Sequence, residues 1–144
     1  MVDSTVMREV TLTLPMLPDM EIAASKTATA LAEFMDMSSD KIDEVRMAVV
    51  EACINSFEHS KADDCKVEIH FVVLGNDDPE RLQITIKDSG VGFAPETLVR
   101  PNIEEKLKAA NKRGWGLTII KGLMDEVDIQ SGPNGTTVVM SKLR

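Results

Sequence analysis

Glu51-Ala52-Cys53-Ile54-Asn55 lies inside a helical pattern that runs from about Lys41 to His59. Ile42, Val45, Val49, Ala52 and Ser56 mark one face of it, and Met47, Val50, Ile54 and Phe57 carry apolar character further around the circumference. A helix apolar over most of its girth belongs in the middle of a domain. One stripe stays polar: Glu44, Glu51, Asn55 and Glu58, spaced by seven, four and three residues. The small residues Ala48 and Ala52 flank it. Positions i and i+4 share a face, so the Glu51 carboxylate and the Asn55 carboxamide point the same way. A neutral carboxamide oxygen suits a hard cation such as Mg²⁺, and a carboxylate beside it suits a general base. A solvated helix face explains the same stripe, so its neighbours in the chain must decide.

Upstream, Val6, Arg8, Val10, Leu12 and Leu14 alternate on one face of a strand that Pro15 and Pro18 end, which points to a position near a sheet edge. Met20, Ala24, Thr27, Leu31 and Phe34 follow helical spacing, with Asp19 as the expected N-cap. Ser38-Ser39-Asp40 breaks that helix from the central one. Downstream, Val67, Ile69, Phe71 and Val73 alternate with polar neighbours, as do Leu82, Ile84 and Ile86. Gly75-Asn76-Asp77-Asp78-Pro79 joins the two runs into an antiparallel hairpin.

Asp88-Ser89-Gly90-Val91-Gly92-Phe93 leaves the second hairpin strand. Residues 94–113, with Pro95, Pro101 and the charged run Glu104-Glu105-Lys106-Leu107-Lys108, read as a partly helical surface lid. Gly114-Trp115-Gly116 opens a further helix carrying Leu117, Ile120, Leu123 and Met124. Strands over Val127–Ser131 and Thr136–Lys142 close the chain, joined by Gly132-Pro133-Asn134-Gly135. The order β-α-α-β-β-lid-α-β-β predicts an α+β fold. It is a two-layer sandwich with a mixed, mostly antiparallel sheet covered by helices on one face. The opposite face is left open or covered by a partner.

The 144 residues fit one domain spanning 1–144, with no internal repeat. Hydrophobic residues make up 43% of the chain, enough for a single core. The net charge of −8, with Lys and Arg scattered, lacks the footprint of a nucleic-acid binder. It also argues against anionic membranes. One Trp, four Phe and no Tyr leave little for stacking single strands. No apolar run approaches a membrane helix, and Met1-Val2-Asp3-Ser4 lacks the features of a signal peptide. Cys53 and Cys65 have no metal-binding spacing and read as reduced, buried or idle thiols, so the cytoplasm is the expected compartment.

Two further stretches carry candidate chemistry. Asp88 at a buried strand end can accept a hydrogen bond from an exocyclic amine, and Gly90 and Gly92 let the backbone approach a ligand. An ordinary turn has the same composition. A dinucleotide fingerprint is a poor rival, since Pro95 stands where its third glycine belongs. Arg113-Gly114-Trp115-Gly116-Leu117 exposes backbone N–H groups at a helix start, where the dipole favours an anion, and Arg113 adds a positive fork. A glycine hinge at a loop-to-helix junction fits as well.

Taken in order, the helix with Glu51 and Asn55, Asp88 with its glycines, the lid and Gly114-Trp115-Gly116 resemble the asparagine box and two glycine boxes of the GHKL (Bergerat) ATPase superfamily. Gly135-Thr136-Thr137-Val138 resembles its last strand. Within the superfamily the chain is most similar to the RsbW/SpoIIAB anti-sigma factors. The likeness is most specific over Glu51–His59 and over Gly116-Leu117-Thr118-Ile119-Ile120-Lys121-Gly122-Leu123-Met124-Asp125-Glu126-Val127. The Leu-Met-Asp-Glu-Val run reads as a family trait rather than a chemical necessity.

The resemblance implies roles. Asn55 coordinates Mg²⁺ on the phosphates of ATP, and Glu51 is the base that activates a serine hydroxyl. Asp88 reads the adenine amine with Thr136 in support. Gly90 and Gly92 let the loop pass the nucleotide. Arg113, Gly114, Trp115, Gly116 and Leu117 form the phosphate end, under a lid over about 94–113. Trp115 stands where related anti-sigma factors often carry Met, and Leu117 where some carry Phe, which bears on partner identity. His59 matches a family position and is expected to be structural. The implied activity is a serine kinase acting on a STAS-domain anti-sigma factor antagonist, which also sequesters a sigma factor and is expected to be a homodimer. A nucleotide-dependent binding module with little kinase activity is the alternative, as is an ATP-binding domain of a larger signalling protein. A histidine kinase fits less well, because His59 and His70 do not lie on a preceding helix pair. A gyrase- or MutL-type hydrolase would need transducer domains that 144 residues cannot hold.

Overall fold

Period-two patterning produces the strands. The computed structural model describes residues 5–59, 66–88, 115–132 and 135–144. The strands are β1 (Thr5–Pro15), β2 (Lys66–Gly75), β3 (Pro79–Asp88), β4 (Glu126–Gly132) and β5 (Gly135–Leu143), and they form one sheet in the order β1-β2-β3-β5-β4. Every described pairing is antiparallel. β3 and β4 run in the same direction, and β5 turns back to fill the slot between them. β1 is an edge strand, as its flanking prolines predict.

Among the described residues, three helices cover one face: α1 (Met20–Phe34), α2 (Ser39–His59) and α3 (Trp115–Leu123). α2 is central, packing against α1 on one side and α3 on the other. The core joins Ile69, Phe71 and Val73 of β2, Leu82, Ile84 and Ile86 of β3 and Met140 of β5 to Val45, Val49 and Ala52 of α2. Burying this apolar area is the main force holding the two layers together. No described helix is long and apolar enough to cross a membrane.

Two details differ from the sequence reading. Val6 does not share the face of Val10, Leu12 and Leu14. The β1–β2 register slips between Val6 and Arg8, so Val6 pairs with Leu74 on the open face and is exposed. Met7 occupies the bulge and packs on the core instead, an exchange that one extra residue in a ladder produces. In α1 the buried line is Ala24, Ala28 and Ala32, followed by Met35, whereas Phe34 is exposed with the Arg8 guanidinium 4.9 Å above its ring. The buried line is turned around the helix from the face that Met20, Thr27, Leu31 and Phe34 mark, which leaves the aromatic at the rim. Asp19 holds the N-cap position at φ 73° but makes no side-chain cap.

The other sheet face is mostly polar, with Val6, Val72, Leu74 and Val139 as its apolar members. Glu9, His70, Thr85, Lys87 and Gln83 lie on it, His70 contacts Glu9, and Arg81 donates to the Ser141 hydroxyl at 3.2 Å and lies 3.4 Å from the Glu126 carboxylate.

Candidate functional site

The core side of the central strands reads as four transverse rows. Val67–Asp88–Thr136 is the first, followed by Ile69–Ile86–Val138, Phe71–Ile84–Met140 and Val73–Leu82–Lys142. The two middle rows are wholly apolar. The outer two each carry polar groups on the inward face, Asp88 and Thr136 at one end and Lys142 at the other, and all three are buried. Burying a charge costs free energy unless it is paired, so each end of the sheet holds a built polar feature.

At the first end, alternation along β3 carries Asp88 onto the face of Leu82, Ile84 and Ile86, where it is 3% exposed. Its carboxylate Oδ1 accepts the Thr136 backbone N–H at 3.3 Å. The Thr136 hydroxyl lies 3.0 Å from the Ser131 hydroxyl of β4, so three strands share one small polar cluster. Gly135, at φ 131°, precedes Thr136 directly and adopts a backbone that side-chain-bearing residues avoid.

Above the sheet, α2 buries Val45, Ala48, Val49, Ala52, Cys53 and Ser56. The polar stripe runs along the flank of that face, with Glu44, Glu51 and Asn55 half-buried. Ala48 and Ala52 are buried beside it, and at such small residues another group can approach the helix closely. The Asn55 amide nitrogen Nδ2 is buried and has no hydrogen-bond partner. A native carboxamide in that condition is unusual and calls for a reason. A ligand that engages the carboxamide is such a reason.

The structure thus places Glu51, Asn55, Asp88 and Thr136 on α2, β3 and β5, the three elements that meet at the core. Gly90, Gly92, Arg113, Gly114 and the lid at 94–113 lie outside the described residues, as does Cys65. Trp115, Gly116 and Leu117 form the first turn of α3, so the expected helix does begin at the second glycine stretch. Sequence reasoning missed Ser131 and Lys142. A lysine continuing the inward series Thr136, Val138, Met140 was the available signal for the second. The Leu-Met-Asp-Glu-Val run also has a chemical reason. The Asp125 N–H donates to the Ser141 carbonyl at 2.9 Å, and the Asp125 carboxylate accepts the Leu143 N–H at 2.6 Å. The side chain thereby extends the β4–β5 ladder past its last backbone pair.

Cys53 is fully buried, and burial, with a smaller contribution from the nearby Glu21 charge, pushes its thiol pKa up to about 12. It is not a nucleophile.

The histidine kinase-like ATPase domain family matches residues 14–142. The chain belongs to that family. It is 32% identical over 123 residues to an anti-sigma F factor of Geobacillus sp. (strain WCH70), covering 85% of this chain and 83% of the relative. It is 31% identical over 121 residues to the serine-protein kinase RsbW of Bacillus thuringiensis (strain Al Hakam), covering 81% of this chain and 72% of the relative. Among solved structures it resembles one containing the RsbU and RsbW domains of a Mycobacterium tuberculosis protein, with TM-score 0.69 and 17% identity. That superposition takes in 94% of this chain and 32% of the other, so the chain spans about a third of that protein, and the likeness is one of fold. The α+β architecture with an open antiparallel sheet and helices on one side is the fold of this family.

ATP use comes with the family. The residues present fit the nucleotide: a buried carboxylate at a strand end for an amine, and an unpartnered carboxamide nitrogen on the helix above. Among the described residues no three His, Cys, Asp or Glu side chains cluster as a metal cage.

Proposed function

We propose that this chain is an ATP-dependent serine-protein kinase and anti-sigma factor, acting in the cytoplasm as a homodimer. It phosphorylates a serine of a STAS-domain anti-sigma factor antagonist and, when free of that substrate, holds a sigma factor. The observation that carries the reading is the Asn55 carboxamide, whose nitrogen is buried and unpartnered, one turn from Glu51 on the same stripe.

The roles follow from chemistry. Asp88, oriented by the Thr136 N–H, accepts the adenine amine. Asn55 would hold Mg²⁺, which would neutralise phosphate charge. Arg113 and the N–H groups at the start of α3 take the terminal phosphates. Glu51 accepts the proton of the attacking serine hydroxyl. The serine oxygen forms its bond to the γ-phosphorus as the bond from that phosphorus to the β-phosphate oxygen breaks, leaving ADP. Positioning and charge neutralisation dominate such a transfer.

The test is phosphate transfer from ATP to a purified STAS-domain antagonist, read by mass spectrometry of the antagonist, with ATP binding measured in parallel by calorimetry. Serine phosphorylation by wild type is the expected result. Tight ATP binding with no transfer to any antagonist would leave only a nucleotide-dependent binding module.

A further inference from the structure

Lys142 is one of two buried charged residues among the described residues, and it lies far from Asp88, at the opposite end of β5's inward face. Its ammonium lies 2.6 Å from the Glu44 carboxylate of α2 and donates to the carbonyl of Leu123, the last residue of α3. One side chain therefore ties together the sheet and two helices. A cation at a helix C-terminus is also favoured by the helix dipole. Glu44 is the first member of the polar stripe, two turns before Glu51 and three before Asn55. α3 begins at the second glycine stretch, and its last carbonyl lies against Lys142. It is nine residues long, about 13 Å at the usual helical rise.

We infer that Lys142 is a positioning residue for the nucleotide. It fixes the C-terminal end of α3 against the α2 stripe, and through the rigid helix it sets where the N-terminal end of α3 stands relative to Asn55 and Glu51. The inference rests on the proposed ATP site. Lys142 itself touches no ligand, and its effect falls on the phosphates alone, because the adenine end is held by β3 and β5 independently of α3.

The discriminating readout is the ratio of ATP to adenosine affinity, measured on the full chain by calorimetry with Mg²⁺ and by NMR titration. Lys142→Met is expected to lower that ratio by about tenfold, the size of effect that indirect positioning residues exert, with adenosine affinity unchanged. The double variant Lys142→Met/Glu44→Leu removes the stranded charge and is expected to regain thermal stability without regaining the ratio. If Lys142→Met does not fold, Glu44→Gln reads the same quantity and is expected to lower it about threefold. An unchanged ratio in a folded single variant overturns the inference, and so does recovery of the ratio in the double variant. Loss of ATP and adenosine affinity in equal measure overturns it as well. Wild type that binds no ATP overturns the ATP site and this inference together, whereas with wild type that binds ATP a negative result counts against Lys142 alone.

Discussion

Asp88 and Thr136 face each other across the β3–β5 ladder, and the Asp88 carboxylate accepts the Thr136 backbone N–H at 3.3 Å. That bond orients a buried acceptor at the end of the core. In Asp88→Asn the amide oxygen remains to accept the Thr136 N–H, so the fold is expected to survive. The group turned toward the ligand becomes an NH₂ donor, which opposes the donor on adenine. ATP and ADP affinity should fall by about a hundredfold, the cost of leaving buried donors unpaired. Calorimetry on a variant with wild-type circular dichroism checks this, and retained affinity would remove Asp88 from the site.

Glu51 and Asn55 stand one turn apart, yet their substitutions should separate. Glu51→Gln is expected to leave ATP affinity within about threefold of wild type and to lower phosphate transfer by at least about a hundredfold, the usual contribution of a general base. Asn55→Ala removes a carboxamide whose nitrogen is buried and unpartnered. It should abolish the Mg²⁺ dependence of ATP binding while costing little thermal stability. Parallel binding and transfer assays decide, and Glu51→Gln with full turnover would return Glu51 to a solvated helix face.

Much of this site was legible because it sits on regular elements. A period of two placed Asp88 inward, and a period of 3.6 placed Glu51 and Asn55 on one stripe. Neither period could foresee the bulge at Met7, because a bulge depends on the partner strand's register rather than on the residues beside it. The same limit applies to Phe34. Its spacing fits a face shared with Met20, Thr27 and Leu31, but the buried line is Ala24, Ala28, Ala32 and Met35, turned around the helix from that face, and this leaves the ring at the rim. The Lys142 bonds span 98 residues to Glu44 and 19 to Leu123, a juxtaposition only the folded sheet makes.

Asp125 tests whether the ladder extension contributes to stability. Its carboxylate accepts the Leu143 N–H at 2.6 Å near the end of the chain, at an exposed position. Asp125→Ala should lower stability by about 1 kcal/mol, the net worth of one such hydrogen bond, and speed amide exchange at Leu143. Asp125→Asn keeps an acceptor and should recover most of the loss. Denaturant unfolding with hydrogen exchange at that amide measures both effects.

Cys53 gives a pH signature with a definite sign. Burial raises its thiol from the ordinary value of 9.0 to about 12. The folded chain therefore keeps a proton that the unfolded chain releases as pH passes 9. Between these values the unfolded state binds fewer protons, so stability falls as pH rises through that window. Below pH 9 both states hold the proton and the effect vanishes. Cys53→Ala should flatten the alkaline decline, at the cost of a small cavity at neutral pH. Native protein at pH 8 should also leave this thiol unmodified by a disulfide reagent, because the thiolate is the reactive form. Denaturant melts of both proteins from pH 7 to 11 carry the test, and an identical alkaline slope in the variant would show that another group governs it.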